Sequence, residues 1–354
     1  MFIMLWNMGE KVNRSLNKCV LTIFKKIISI PLIKRALTDI ELRNRNETYF
    51  TDIYRHESML ADKIRIESYY NAINKYVKEG DVVIDLGTGT GILSFFAHQK
   101  NPKIIYSIDH SKIIEIAKIV AKYNNISKIL FINTYSQNFS PAEKADVIIQ
   151  EQMGSFLFNE NMIGSVLDLR NRSLKKGGKI LPSQFDLFIE PVEIEDDNRI
   201  PLIWEQNIHG INFQCLNEIK NQLENNHFTR YIRPRDIGRF LCIPEPILSF
   251  NLETLSSAAD LPSTLTSKKR ININGRLDGF CVYFRAIFDK EIILEVNPLN
   301  QESNHSSWSA AFFRVESVNL EGNDLIEYTF NLNDLNNIDT WNWRYEIYPA
   351  FQIQ

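Results

Sequence analysis

VVIDLGTGTGILSFFA, Val82 to Ala97, is the stretch that decides the fold. β-Favouring residues run into Asp85, a GxGxG turn follows, and an apolar helix start comes next. The order predicts a strand that stops against a nucleotide-like cofactor. Glycines at Gly87, Gly89 and Gly91 let the main chain turn tightly with no Cβ in the way, so a bulky ligand lies close to the backbone. KIIYSIDHS, Lys103 to Ser111, is a second buried-type strand, and it ends at Asp109. A carboxylate at that strand end is placed to take both hydroxyls of a cofactor ribose.

Outward from this segment, Ile40 to Pro182 alternates apolar strand candidates with helical ones: VVIDLG, FFAHQ, KIIYSID, IIEIAKIVAKY, KILFINT and ADVIIQE. Alternation of this kind predicts an α/β, doubly wound parallel sheet with helices on both faces. Ligands bind such sheets beyond the carboxyl ends of the strands, where Asp85, Gly87, Asp109 and Glu151 fall. After KKGGKILPS the texture changes to short β-rich segments such as FDLFIEPVEI, RLDGFCVYFRAIF and SAAFFRVESV, which predict an antiparallel sandwich or barrel. Ile203 to Leu223 carries helical spacing between them. The expected division is a basic amphipathic extension over 1–40, a cofactor-binding domain over 41–182, and a β-barrel domain over 183–354 with a helical arm at about 203–235.

Composition bounds the function. At 354 residues, with 44% hydrophobic and 23% charged, the chain is globular and long enough for two cores. A net charge of −3 gives no reason to expect nucleic acid as a partner. The charge is unevenly spread: residues 1–37 hold seven Lys and Arg against Glu10 alone, and the remainder carries nine more acids than bases. In the head, Ser15 to Leu37, apolar residues at helical spacing alternate with lysines until Pro31. Two readings fit it, an amphipathic helix touching an anionic membrane or a partner, and a helix docked on the catalytic domain. Cys19, Cys215, Cys242 and Cys281 form no CxxC pair, so neither a disulfide framework nor a thiolate metal site is indicated, and a reducing cytoplasm suits them. No apolar run is long enough to span a bilayer, and no cleaved signal is expected.

The chemistry concentrates in IIQEQMGSFLFNENMI, Ile148 to Ile163. Glu151 and Glu160 bracket a short apolar loop after a sheet strand. If the loop folds back as a hairpin, both carboxylates face one pocket beside the cofactor. Paired carboxylates repel unless a cation lies between them. A guanidinium meets that need, because it is always charged and its planar donors match carboxylates bidentately. Gripped on one side, its free terminal nitrogen gains lone-pair character and can attack an electrophilic methyl in line.

The GxGxG spacing, followed by Ile92 and Leu93 in place of the GxGxxG of dinucleotide sites, resembles motif I of the class I S-adenosylmethionine-dependent methyltransferases. The order VIDLGTGTGILSFFA, IDHS, QEQMGSFLFNENMI and LKKGGKILP resembles the protein arginine methyltransferases, whose double-E loop has the form SExMGxxLxxExM. The likeness runs from about Tyr49 to Trp308. It implies a Rossmann-like methyltransferase domain, a β-barrel, a helical dimerisation arm opening at IWEQNIHGINFQCLNEI, and a head-to-tail homodimer. It also implies that RHESMLADKIRIESYYNAI, Arg55 to Ile73, is a cofactor-covering helix. On it, His56 and Arg65 approach the methionine carboxylate and Met59 lines the methyl-transfer channel, with Met162 as the second channel methionine. Tyr135 and Ser136 fall where the family contacts adenine, often through a glutamate, so Ser136 is a departure.

Two further departures concern the substrate side. The family's YFxxY element appears as YFTDIY, with Tyr49, Phe50 and Tyr54 spaced one residue too far apart. The THW loop appears as SNHSSWSAAFF: Trp308 matches, Ser307 stands at the histidine, and His305 lies two residues earlier. In the family that histidine pairs with the aspartate matching Asp62. Three outcomes stay open: His305 substitutes, Ser307 suffices, or activity is low. A base methyltransferase would carry Pro-Pro and an aromatic at the strand end where Glu151-Gln152-Met153 stands. The expected function is S-adenosylmethionine-dependent N-methylation of arginine in a protein or peptide. The alternatives are a small guanidine or peptide natural product as substrate, or a cofactor-binding scaffold with little catalysis.

Overall fold

Helices α1 (Ile53–Ala61) and α2 (Lys63–Tyr76) lead into a parallel sheet in the computed structural model, which describes residues 52–222, 229–300 and 307–350. The chain divides into Met1–Asp52 and Ile53–Gln354, and every element described belongs to the second unit. The basic head, Tyr49, Phe50 and His305 lie outside the described residues. Asp62 separates the first two helices. Its carboxylate accepts the Arg65 N–H at 3.2 Å, satisfying one of the orphan donors of the first turn of α2.

The sheet holds β1 (Val82–Leu86), β2 (Ile104–Asp109), β3 (Ile129–Asn133), β4 (Ala145–Gln150) and β5 (Leu174–Leu181) in the order β3-β2-β1-β4-β5, every neighbouring pair parallel. Helices α3 (Ile92–His98), α4 (Ile114–Tyr123) and α5 (Met162–Ser173) connect them. All five residues of β1 are buried, the mark of a strand covered on both faces. The chain winds outward from β1 to β3 and then returns to place β4 against the other side of β1. The order therefore reverses between β1 and β4, and a crevice opens at their carboxyl ends. Register sets Leu86 beside both Ile108 and Gln150, so the glycine turn, Asp109 and Glu151 emerge at one level.

The second half is antiparallel. Strands β6 (Gln184–Ile194), β7 (Asn207–Ile208), β8 (Ile211–Asn212), β9 (Thr229–Ile232), β10 (Ile237–Phe240), β11 (Leu248–Asn251), β12 (Thr264–Arg270), β13 (Gly275–Ile287), β14 (Ile293–Glu295), β15 (Ala310–Leu320), β16 (Leu325–Asn331) and β17 (Asn342–Tyr348) follow in turn. A seven-stranded sheet runs β10-β6-β13-β15-β9, with β11 on β6 and β14 on β13; a second sheet runs β12-β16-β17. They meet through aromatic contacts, Phe280 with Tyr328 at 5.0 Å and Phe313 with Phe330 at 4.9 Å between ring centroids. Among the described residues the antiparallel half thus forms two packed sheets, and no ladder joins them.

The arm differs from a regular α-helix. Its helical residues form 3-10 turns at Ile203–Glu205 and Gln214–Gln222, with the β7–β8 hairpin between. His209 and Gly210 take φ of 51° and 87° at the hairpin turn. Asn207 Oδ1 accepts the Gly210 N–H at 3.0 Å and Asn212 Oδ1 the Gln214 N–H at 2.8 Å. Such asparagine bonds offer the backbone an alternative to the helical ladder, which overrides the apolar spacing.

Candidate active site

The glycine turn is built to admit no side chain. Gly87, Gly89 and Gly91 have φ of 76°, 53° and 88°, a region that L side chains rarely adopt. A Cβ on Gly91 would lie 2.6 Å from Phe95, and one on Gly89 would lie 3.2 Å from His56. His56, buried on α1, therefore stands directly over the turn. Asp109 binds the turn from below: one carboxylate oxygen accepts the Gly89 N–H at 2.8 Å, the other the Ser111 N–H and hydroxyl at 2.8 and 2.7 Å. The oxygen that accepts Gly89 keeps a further lone pair for a ligand hydroxyl.

Asp85 is fully buried at the end of β1. One of its oxygens accepts hydroxyls from Thr88 and Ser94 at 2.6 and 2.7 Å, and the other has no hydrogen-bond partner among the described residues. Burial pushes its carboxyl up to about 6 against those two bonds. Asp85 thus shapes the turn from inside, beneath the surface that a cofactor would touch. Beyond Asp109, His110 and Tyr135 stack their rings, and Ser136 is buried with its carbonyl held by Arg172. A nucleoside cofactor fits these residues, which offer a glycine cradle, a carboxylate and a stacked pair of rings.

The loop after β4 folds back. Gly154 and Leu157 pair antiparallel, and Phe156, Leu157 and Phe158 plunge into the core against Trp341 and Phe250. This turn lies between Glu151 and Glu160, and Glu160 is half-buried. Met162 opens α5 and is wholly buried in the hydrophobic core, whereas Met59 is half-buried on α1.

Glu151 holds a guanidinium, that of Arg65. Arg65 also donates to Ser307 Oγ at 3.5 Å and lies 5.2 Å above the Trp308 ring. The resemblance assigned Arg65 to the cofactor's methionine carboxylate; in this structure its charge is engaged by Glu151. Burial pushes the Glu151 carboxyl up to about 7, Arg65 opposes that rise, and Asp62 adds to it. Trp308 in turn donates its indole N–H to Met153 O at 2.6 Å, fastening the loop to the antiparallel half.

Three supporting residues escaped the motif reading. Tyr69 donates its hydroxyl to the Gln150 carbonyl at 2.8 Å, fixing the peptide that precedes Glu151. Gln150 is buried and accepts the Gln152 N–H at 3.2 Å. Both stand in quoted segments, but only tertiary contact gives them a task. His110 had a visible signal, an imidazole directly after the ribose-binding acid.

Comparison with known proteins agrees with this geometry. The family model described as ribosomal protein L11 methyltransferase (PrmA) matches residues 67–183, the parallel-sheet half. Protein arginine N-methyltransferase 6 of Danio rerio is 30% identical over 289 residues, 76% of this chain and 78% of that protein. Protein arginine N-methyltransferase 1 of Dictyostelium discoideum is 28% identical over 80% of this chain and 84% of that one. Among solved structures, the Trypanosoma brucei PRMT1 enzyme-prozyme heterotetrameric complex with AdoHcy superposes with a TM-score of 0.69 at 22% identity, covering 84% of this chain and 98% of that chain. Arabidopsis thaliana protein arginine methyltransferase 10 gives 0.67 at 23%, covering 85% and 99%. Parallel and antiparallel halves recur along nearly the whole length of those folds, and identity to curated relatives extends across both halves. On that ground the chain belongs to the protein arginine N-methyltransferases, enzymes that use S-adenosylmethionine.

Proposed function

We propose that this chain methylates the guanidinium of arginine in a protein or peptide substrate, with Glu151 and Glu160 as the clamp that holds it. The observation that carries the reading is the Glu151–Arg65 pair: a buried carboxylate at the switch point of the sheet that already receives a guanidinium, with the Trp308 ring beneath it. Gly87, Gly89 and Gly91 would admit the cofactor to the backbone, Asp109 would take the ribose, His56 and Arg65 would face the amino-acid end, and Tyr135 and Ser136 the base. When bound, S-adenosylmethionine supplies an electrophilic sulfonium methyl. Glu151 must be ionised to grip the substrate, and the clamp fixes which terminal nitrogen is free. Asp62 and Ser307 orient Arg65, while Met59 and Met162 shape the wall.

The same reading includes a homodimer. Ile200, Ile208 and Ile211 expose 74%, 49% and 65% of their surface around the arm hairpin, and Ile119 and Tyr123 on the outer face of α4 expose 69% and 86%. Isolated apolar residues are ordinary, but several exposed on one short segment support an interface. The scattered cysteines support a reducing, cytoplasmic setting.

The test is methyl transfer from labelled S-adenosylmethionine into arginine-rich peptides, followed by hydrolysis and identification of the methylated amino acid. Methylarginine that disappears with Glu151→Gln supports reaction and clamp together; label on any other group rejects the reading.

A further inference from the structure

The base end of the cofactor site carries a feature that the double-E chemistry does not use. His110 and Tyr135 lie with ring centroids 4.6 Å apart and planes inclined by 16°. His110 Nε2 is buried and has no hydrogen-bond partner among the described residues. A buried nitrogen left so costs on the order of 1–3 kcal/mol unless a ligand or water meets it. The turn that carries His110 is firmly set. Asn133 donates its side-chain amide to Asp109 O at 3.0 Å and Ser111 O at 2.9 Å, and Thr134 N–H donates to Asp109 O at 3.0 Å. These bonds tie the ends of β2 and β3 together on either side of the imidazole, so the ring is preorganised rather than free to swing out.

Position decides what the nitrogen meets. If Asp109 takes the ribose as proposed, a base extending from it toward the end of β3 would meet His110 and Tyr135. Ser136 occupies the place of a longer acidic side chain, and its own carbonyl is already taken by Arg172 Nη2 at 2.9 Å. A serine hydroxyl reaches less far than a glutamate, so the edge of the base needs a second partner.

We propose that His110 is a specificity-determining residue for the cofactor base, its Nε2 hydrogen-bonding the edge of adenine while Tyr135 supports the imidazole from behind. The inference rests on the S-adenosylmethionine reading of the site. It places base selection in this chain on the residue next to the ribose acid, with Ser136 relieved of that task.

The test is calorimetric titration of the unmodified full chain and two variants with S-adenosylhomocysteine and with its hypoxanthine counterpart, S-inosylhomocysteine. His110→Phe keeps an aromatic ring on Tyr135 and removes the nitrogen; His110→Ala removes both. Expected is an approximately ten-fold weaker Kd for S-adenosylhomocysteine in His110→Phe, a larger loss in His110→Ala, and a reduced preference for adenine over hypoxanthine in both. Melting of the ligand-free variants at the parent temperature separates lost recognition from lost fold. An unchanged Kd and base preference in a folded His110→Phe overturns the proposal while leaving the cofactor reading in place. Failure of the parent chain to bind S-adenosylhomocysteine overturns both.

Discussion

Ser307 donates its backbone N–H and its hydroxyl to the same oxygen of Asp62, at 2.9 and 3.2 Å. This serine stands where related chains place a histidine. It occupies the aspartate with two short donors but has no second ring nitrogen through which a proton could pass on. Asp62 meanwhile uses its other oxygen to cap α2 at Arg65, and the Arg65 guanidinium returns to Ser307 Oγ. The three residues form a closed positioning unit around the charge that faces Glu151. Of the outcomes left open by the sequence, we propose that Ser307 is sufficient on its own.

Ser307→Ala keeps the backbone donor and loses the hydroxyl. A hydrogen bond to a charged group contributes about 1.5–3 kcal/mol, and at 3.2 Å this one belongs at the low end, so kcat should fall roughly ten-fold with a small change in KM. Steady-state kinetics on an arginine peptide checks this. A loss beyond about a hundred-fold would mean that the hydroxyl takes part in the chemistry itself.

Glu151→Gln and Glu160→Gln should each lower turnover roughly a hundred- to a thousand-fold, because a neutral amide cannot hold and polarise a guanidinium as a carboxylate does. Affinity for S-adenosylhomocysteine should stay within about three-fold, since the clamp acts on the substrate. Parallel loss of cofactor binding in both variants would contradict the division of labour between the glycine turn and the loop.

Much of this site is legible in the chain itself. The strand–glycine–helix order of Val82 to Ala97, the acid ending the next strand and the glutamate ending β4 are local patterns, and a parallel sheet brings strand ends together whatever lies between them. What escapes is contact between residues remote in sequence. Arg65 meets Glu151 across 86 positions with no periodic trace, and the pairing of Ser307 with Asp62 across 245 is reached only through the family resemblance. The arm misleads for the opposite reason. Its apolar spacing is helical, but Asn207, Gly210 and Asn212 carry turn chemistry that wins locally.

The raised carboxyl of Glu151, at about 7, gives the pH dependence its sign. The ionised form grips the guanidinium, so kcat/KM should rise with pH through about 7 and level off above it. Arg65 holds that value down, so Arg65→Ala should move the acidic limb to higher pH. Initial rates between pH 5.5 and 9 on parent and variant decide the matter. An identical limb in Arg65→Ala would show that another group titrates.

Far from the site, Lys269 and Glu190 form a buried ion pair at 2.5 Å, with Glu245 N–H also donating to Glu190 at 2.9 Å. Burial still pushes the Glu190 carboxyl up to about 7, with Lys269 opposing it. Because the folded value exceeds the unfolded one, the folded chain holds the extra proton, and this group lowers stability as pH rises from about 4.5 to about 7. Lys269→Met removes the compensating charge and extends that window upward. It should cost about 3–5 kcal/mol at pH 8 and clearly less at pH 5, where Glu190 is protonated in either chain. Replacing both partners, Glu190→Leu with Lys269→Met, should restore most of the loss, since no buried charge then stands alone. Urea denaturation at the two pH values reads all three quantities, and an equal cost for the single variant at pH 5 and pH 8 would show that lost packing of the lysine stem, rather than the stranded carboxylate, sets the penalty.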